Sequence, residues 1–147
     1  MDYEVLDISG DVGIKAYGES CGAAFVSAGL GMYGLITNVE GIDEKQDMEL
    51  EAVGDSLEGL LVNYLNELIF RFDTYGFVGR RMEISDFSPT AAEQISDRQA
   101  SIKVMVYGEE FDPERHERRL LIKAATYHNV KVEEIDGTWE IDVIFDI

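Results

Sequence analysis

Thirty Asp and Glu against twelve Lys and Arg give this 147-residue chain a formal charge of -18, while 46% of its residues are hydrophobic. That is enough apolar material for one core, and so strong an acidic balance repels phosphate backbones, which excludes an unaided grip on RNA or DNA. Cys21 is the single cysteine, so an internal disulfide framework and a multi-cysteine zinc site are excluded.

The start, "MDYEVLDISG", carries no basic region followed by an apolar run, and no stretch is apolar for the length of a membrane span. A soluble, cytoplasmic protein with no membrane partner is expected. "YEVLD" and "VGIKAYG" read as short strands joined by the turn Ile8-Ser9-Gly10-Asp11, the second because Val12, Ile14 and Ala16 alternate with Gly13, Lys15 and Tyr17. Ser20 is placed to cap a helix with a buried stripe of Phe25, Ala28, Gly29, Met32, Leu35 and Ile36. Glycine costs a helix about 1 kcal/mol against alanine, so Gly22, Gly29, Gly31 and Gly34 predict close packing of this helix on a sheet.

"QDMELEAV" alternates Met48, Leu50 and Ala52 with Asp47, Glu49 and Glu51, a strand with one wet face. Asp55 and Glu58 resemble a capping box opening a second helix, whose stripe of Leu57, Leu60, Leu61, Tyr64, Leu65, Leu68, Ile69 and Phe72 is ended by Gly76. The second half reads as strands: around Met82 to Ile84, then "SIKVMVYG", "LLIKAATY", "VKVEEI" and "TWEIDVIFDI". Asp136-Gly137 marks a tight hairpin between the last two. The order ββαβα followed by a run of β predicts an α+β fold, a single domain over residues 1–147 with a mostly antiparallel sheet and two helices packed against it.

Gly29-Leu30-Gly31-Met32-Tyr33-Gly34 fits the dinucleotide pattern GxGxxG. Glycines that bind a pyrophosphate open a helix, and here only Leu35, Ile36 and Thr37 follow before Asn38, so packing is the favoured reading. His116 lies among Asp112, Glu114 and Glu117, and His128 stands alone, so spacing requests no two-histidine metal site. No serine sits in a nucleophile elbow, which argues against a nucleophilic hydrolase.

The last residues, "VIFDI", run as a buried strand to the end of the sequence and set the Asp146 carboxylate beside the α-carboxylate of Ile147. If Asp11 approaches from its glycine-flanked loop, three ionised carboxylates meet, repelling by roughly 4 kcal/mol per pair at about 4 Å and an effective dielectric near 20. A hard divalent cation relieves that repulsion, and oxygen ligands suit calcium or magnesium better than zinc. The competing reading pairs Asp146 with Lys123 or Lys15, or leaves it solvated.

Taken in order, "YEVLDISGDVGIKAYG", "GLGMYGLITN", "LLVNYLNELIFRFDT", "YGEEFDPERHE", "IKAATYH" and the final "VIFDI" make the chain resemble the archease family over nearly its whole length. One stretch departs: the family's first loop usually reads Asp-His-Thr-Ala-Asp, whereas Asp7 is followed here by Ile8, Ser9 and Gly10 before Asp11. No role of that histidine carries over. Archeases are protein cofactors of the RtcB-type RNA ligase, which joins exon halves in tRNA splicing with manganese and GTP. The resemblance implies a non-enzymatic activator that promotes guanylylation and multiple turnover of that ligase. It also implies a divalent cation, calcium first and magnesium or manganese as alternatives, held by Asp11, Asp146 and Ile147. Lys123 is the candidate partner contact. The rival expectations are a metal-dependent enzyme using Asp11 and Asp146, and a general acidic chaperone.

Overall fold

A computed structural model describes residues 2–89 and 99–147. Strands β1 (Tyr3–Ile8) and β2 (Asp11–Gly18) form a hairpin around Ser9 and Gly10, where Gly10 takes φ +81°, a conformation that glycine enters without a Cβ penalty. Helix α1 (Cys21–Ile36) follows, capped as expected by Ser20, whose hydroxyl accepts the Ala23 N–H at 3.1 Å. After a short 3-10 turn at Val39–Gly41 come β3 (Gln46–Gly54), α2 (Leu57–Tyr75), β4 (Phe77–Ser88) and β5 (Ala100–Glu110). The chain closes with β6 (Ala124–Ala125), β7 (Lys131–Ile135) and β8 (Thr138–Asp146).

Every strand pairing is antiparallel, and the α+β expectation holds. The strands divide between two sheets. One runs β1-β2-β8-β6, with β7 also paired to β8; the other runs β3-β5-β4. Helix α1 packs on β2 and β8 of the first and on β4 of the second, and α2 packs on β3 and β5 and reaches β6. One hydrophobic cluster joins both sheets and both helices, with Phe25, Tyr33, Tyr64 and Phe145 among its fully buried side chains.

This burial explains the glycines of α1. A Cβ on Gly29 would strike the Tyr64 hydroxyl and, at 2.8 Å, Met82 Cε; one on Gly31 would meet the Tyr3 ring at 3.0 Å. The GxGxxG stretch therefore lies inside α1, where the glycines let side chains of other elements reach the helix backbone. Tyr64 uses that space to donate to the Phe25 carbonyl at 3.0 Å, tying the two helices together.

Three local expectations change. Ser56, not Asp55, caps α2, its hydroxyl accepting the Gly59 N–H at 3.0 Å, while Asp55 accepts from the Gln99 amide. The strand around Met82 to Ile84 is a twelve-residue element. Of "LLIKAATY" only Ala124–Ala125 is a strand. The residues before it cap α1: Arg119 and Leu120 donate backbone N–H groups to the Ile36 and Leu35 carbonyls, and Arg119 Nη1 donates to the Gly34 carbonyl. Orphan carbonyls and a guanidinium at a helix C-terminus satisfy each other, and that holds this stretch out of the sheet. The Asp136-Gly137 hairpin forms as read, with φ +52° and +82°.

Candidate functional site

The β2–β8 register sets Val12 opposite Phe145 and Gly13 opposite Ile144. Asp11, at the start of β2, and Asp146, at the end of β8, are the residues next to the Val12–Phe145 pair, the last of that register. The β1–β2 hairpin sets Ile8 opposite Asp11, and β6 sets Ala124 opposite Asp146. Two pairs thus stand at this end of the five-stranded sheet, Ile8 with Asp11 and Ala124 with Asp146. Side chains alternate along a strand, so Asp11 belongs to the face of Gly13 and Lys15, and Asp146 to that of Ile144 and Asp142, which oppose those two residues.

Asp11 is half-buried, and Asp146 and Ile147 are exposed. Behind the carboxylates Gly13 leaves room for Ile8 Cδ1 and Ile144 Cγ1, which approach within 3.2 and 3.5 Å of where its Cβ would stand. The acidic pair therefore has an apolar floor. Ile8, at the position where the family resemblance expects histidine, contributes to this floor and offers no ligand or proton.

Lysine compensation goes elsewhere. Lys15, on the same face two pairs along, binds Asp142 at 2.9 Å and lies 3.7 Å from Glu140. The Asp142 hydrogen bond, helped by the Asp142 and Glu140 charges, outweighs the lowering effect of burial and holds the Lys15 ammonium above its ordinary pKa. Lys123 comes to the tip through its backbone, its N–H donating to the Asp146 carbonyl at 2.8 Å; its side chain is exposed. Among the described residues neither Asp11 nor Asp146 enters an ion pair. The β2–β8 pairing brings the start of β2, with Asp11, to the end of the sheet where Asp146 and the Lys123 backbone stand, although Asp11 comes from the opposite end of the sequence.

The donor chemistry is uniform. Two carboxylates and the adjacent α-carboxylate are hard oxygen ligands, with no thiolate or imidazole beside them, and they fit calcium or magnesium better than zinc. Among the described residues no group of three or more His, Cys, Asp or Glu side chains is arranged to hold a metal ion.

Among the described residues neither histidine nor the cysteine makes a hydrogen bond or ion pair with Asp11 or Asp146. His116 is buried, its Nδ1 accepting the Asp112 N–H at 2.8 Å, so the ring proton sits on Nε2 and faces Glu109 at 3.1 Å. Glu109, 3% exposed, also accepts from the Asp43 N–H and from Arg115. Burial raises its pKa, but these donors outweigh burial and hold the carboxyl at about 2. This buried cluster pins the 112–117 segment to the loop before β3. Sequence spacing did not reveal it, because Glu109 breaks the inward alternation of β5 by standing buried beside buried Gly108. Burial pushes the Cys21 thiol up to about 11, and His128 is an exposed turn residue.

Fold and tip together define a class: an α+β protein whose first hairpin and last strand present oxygen donors side by side on an acidic surface. The model of the Archease protein family matches residues 3–147. A protein archease of Pyrococcus abyssi is 34% identical over 146 residues, covering 99% of this chain and 98% of its own. The solution structure of Methanobacterium thermoautotrophicum protein 1598 superposes with a TM-score of 0.78 at 27% identity, covering 99% of both chains. The crystal structure of a Thermotoga maritima protein, described as an archease and possible chaperone, shares the fold with a TM-score of 0.61 at 16% identity, over 98% of this chain and 96% of its own. The chain belongs to the archease family.

Proposed function

We propose that this protein is a non-catalytic cofactor of an RtcB-type RNA ligase, promoting the ligase's guanylylation and repeated turnover in tRNA splicing. Asp11, Asp146 and the α-carboxylate of Ile147 hold a divalent cation, with calcium preferred because an open, surface-lying donor set suits its flexible coordination better than magnesium's strict octahedron. Membership of the archease family supports the choice of partner. The observation that supports the site is the β2–β8 register, which ends at Val12 opposite Phe145 and leaves Asp11 and Asp146 as the residues next to that last pair.

A bound cation supplies concentrated positive charge that polarises a phosphoryl oxygen. The chain's own residues do the rest. Asp11 and Asp146 orient the donors from two paired strands, so neither carboxylate moves far without breaking the sheet. Ile8 and Ile144 keep water from one side of the tip and raise the strength of its electrostatics. Lys123, tied by its backbone to Asp146, offers a cation to a phosphate or carboxylate on the partner. The charge of -18 leaves RNA binding to the ligase.

The test is ligation of cleaved tRNA halves with limiting ligase, with and without this protein. A many-fold rise in product per ligase molecule is expected, and it should fall when residues are appended after Ile147. No rise overturns the reading. Suppressed aggregation of unrelated client proteins would support the chaperone description given to the Thermotoga relative, and turnover by the isolated protein would support a metal-dependent enzyme.

A further inference from the structure

The sequence from Arg115 to Lys123 reverses the charge of the rest of the chain, with Arg115, Arg118, Arg119 and Lys123 against Glu117 alone. Two of these cations are occupied. Arg115 binds Glu109 and Asp43, and Arg119 binds Glu117 and the Gly34 carbonyl at the end of α1. Arg118 and Lys123 enter no ion pair among the described residues. Arg118 instead lies over the Phe111 ring at 5.9 Å, held by a cation–π contact that leaves its charge facing outward.

Between these cations stand Leu120 and Leu121, 38% and 67% exposed. With Ile36, Phe72 and Phe111 they line a cleft of about 100 Å³. Exposed leucines next to unpaired cations are costly for a chain that could have covered both with its own carboxylates. Phosphate chemistry accounts for the cations and leaves the leucines unexplained. A protein surface accounts for both, placing an apolar side chain in the cleft and carboxylates against Arg118 and Lys123. Such a charge pattern also selects against a second copy of this acidic chain only weakly, but the complementary apolar contact requires a partner with its own exposed hydrophobe.

We propose that Arg118, Leu120, Leu121 and Lys123 form a docking surface for a protein partner that presents an apolar side chain flanked by Asp or Glu. The inference rests on the reading that the partner is the ligase, and it adds where that partner sits. From Leu121 at the cleft the chain runs two residues to Lys123, whose N–H donates to the Asp146 carbonyl, so a partner that covers this stretch of chain spans from the cleft toward the aspartate tip. Docking and stimulation therefore use adjoining but separate residues.

The experiment titrates this protein into a ligation assay at limiting ligase and reads two quantities, the half-saturating concentration and the maximal stimulation. Leu121→Asp combined with Arg118→Glu is expected to raise the half-saturating concentration by about tenfold or more while the maximum stays unchanged. Leu121 is exposed enough that folding is unaffected, which circular dichroism checks, and Leu121→Ala alone should give an intermediate shift. An unaltered half-saturating concentration in the double variant overturns the docking surface while leaving the functional reading intact. Failure of the unaltered protein to stimulate at all overturns the functional reading and this partner with it. A lowered maximum with unchanged half-saturation also overturns the inference, since it assigns these residues to the stimulating step instead of docking.

Discussion

The Asn66 side chain on α2 is hydrogen-bonded twice to the backbone of Ala125: its Nδ2 donates to the Ala125 carbonyl at 3.2 Å, and its Oδ1 accepts the Ala125 N–H at 2.8 Å. An amide side chain thus does for β6 what a neighbouring strand would do. The segment it holds carries the Lys123 N–H bond to Asp146 and the Thr126 N–H bond to the Ile144 carbonyl, so α2 braces the end of β8 from behind.

Asn66→Leu should leave both Ala125 backbone groups unpaired in a part-buried setting. A loss of about 1–3 kcal/mol is expected, with a melting temperature lower by several degrees for a chain of this size. Amide hydrogen exchange should locate the damage: the Lys123 and Thr126 N–H groups exchange faster, while those in the β3-β5-β4 sheet do not.

Gly29→Ala should destabilise the protein although alanine is the better helix former. The new methyl would displace the Tyr64 hydroxyl from the Phe25 carbonyl and press on Met82. Overpacking of this kind costs about 1–3 kcal/mol, more than the roughly 1 kcal/mol gained in propensity. Gly41→Ala, where a Cβ meets nothing within 4 Å, is the control and should be near neutral in urea unfolding.

Acid should act through Glu109. Its carboxyl lies at about 2 in the folded protein against an ordinary value of 4.5, so the folded state favours the ionised form. The stability this contributes is complete above pH 4.5 and is lost as the pH falls through about 2. Glu109→Gln should be less stable at neutral pH, because Arg115 loses its counter-charge and the amide keeps one acceptor oxygen where the carboxylate had two for the Asp43, Arg115 and His116 donors. Its stability should then depend less on pH across that window, as measured by denaturant midpoints at a series of pH values.

Calcium should raise the melting temperature of the unaltered protein, by the equivalent of about 2.7 kcal/mol when calcium reaches a hundred times its dissociation constant. Asp11→Asn and Asp146→Asn should each abolish that rise. Without added cation neither variant should be less stable than the parent, since each removes a carboxylate that enters no ion pair among the described residues. Calorimetric titration of calcium into a chelator-treated sample checks both statements.

Local patterns were legible wherever one residue's environment depends on near neighbours in the chain. The Asp136-Gly137 turn, the Ser20 cap and the Gly76 stop are decided by backbone conformation within a few residues, and all three form as read. The α2 stripe was readable because a helix buried on one side must repeat its apolar residues. The "LLIKAATY" stretch misled because its apolar residues are spent on capping α1 and on the cleft, destinations set by elements far away in the chain.

The sequence by itself determined the α+β order, the acidic surface and the family, because periodicity, charge and motif order are properties of the chain taken linearly. Only the tertiary structure decided that β2 pairs with β8 up to Val12 and Phe145, that Lys15 is taken by Asp142, and that Glu109 is buried among Asp43, Arg115 and His116. Those are meetings of residues remote in sequence, and they follow from strand register and from the desolvation that burial imposes, neither of which a linear pattern contains.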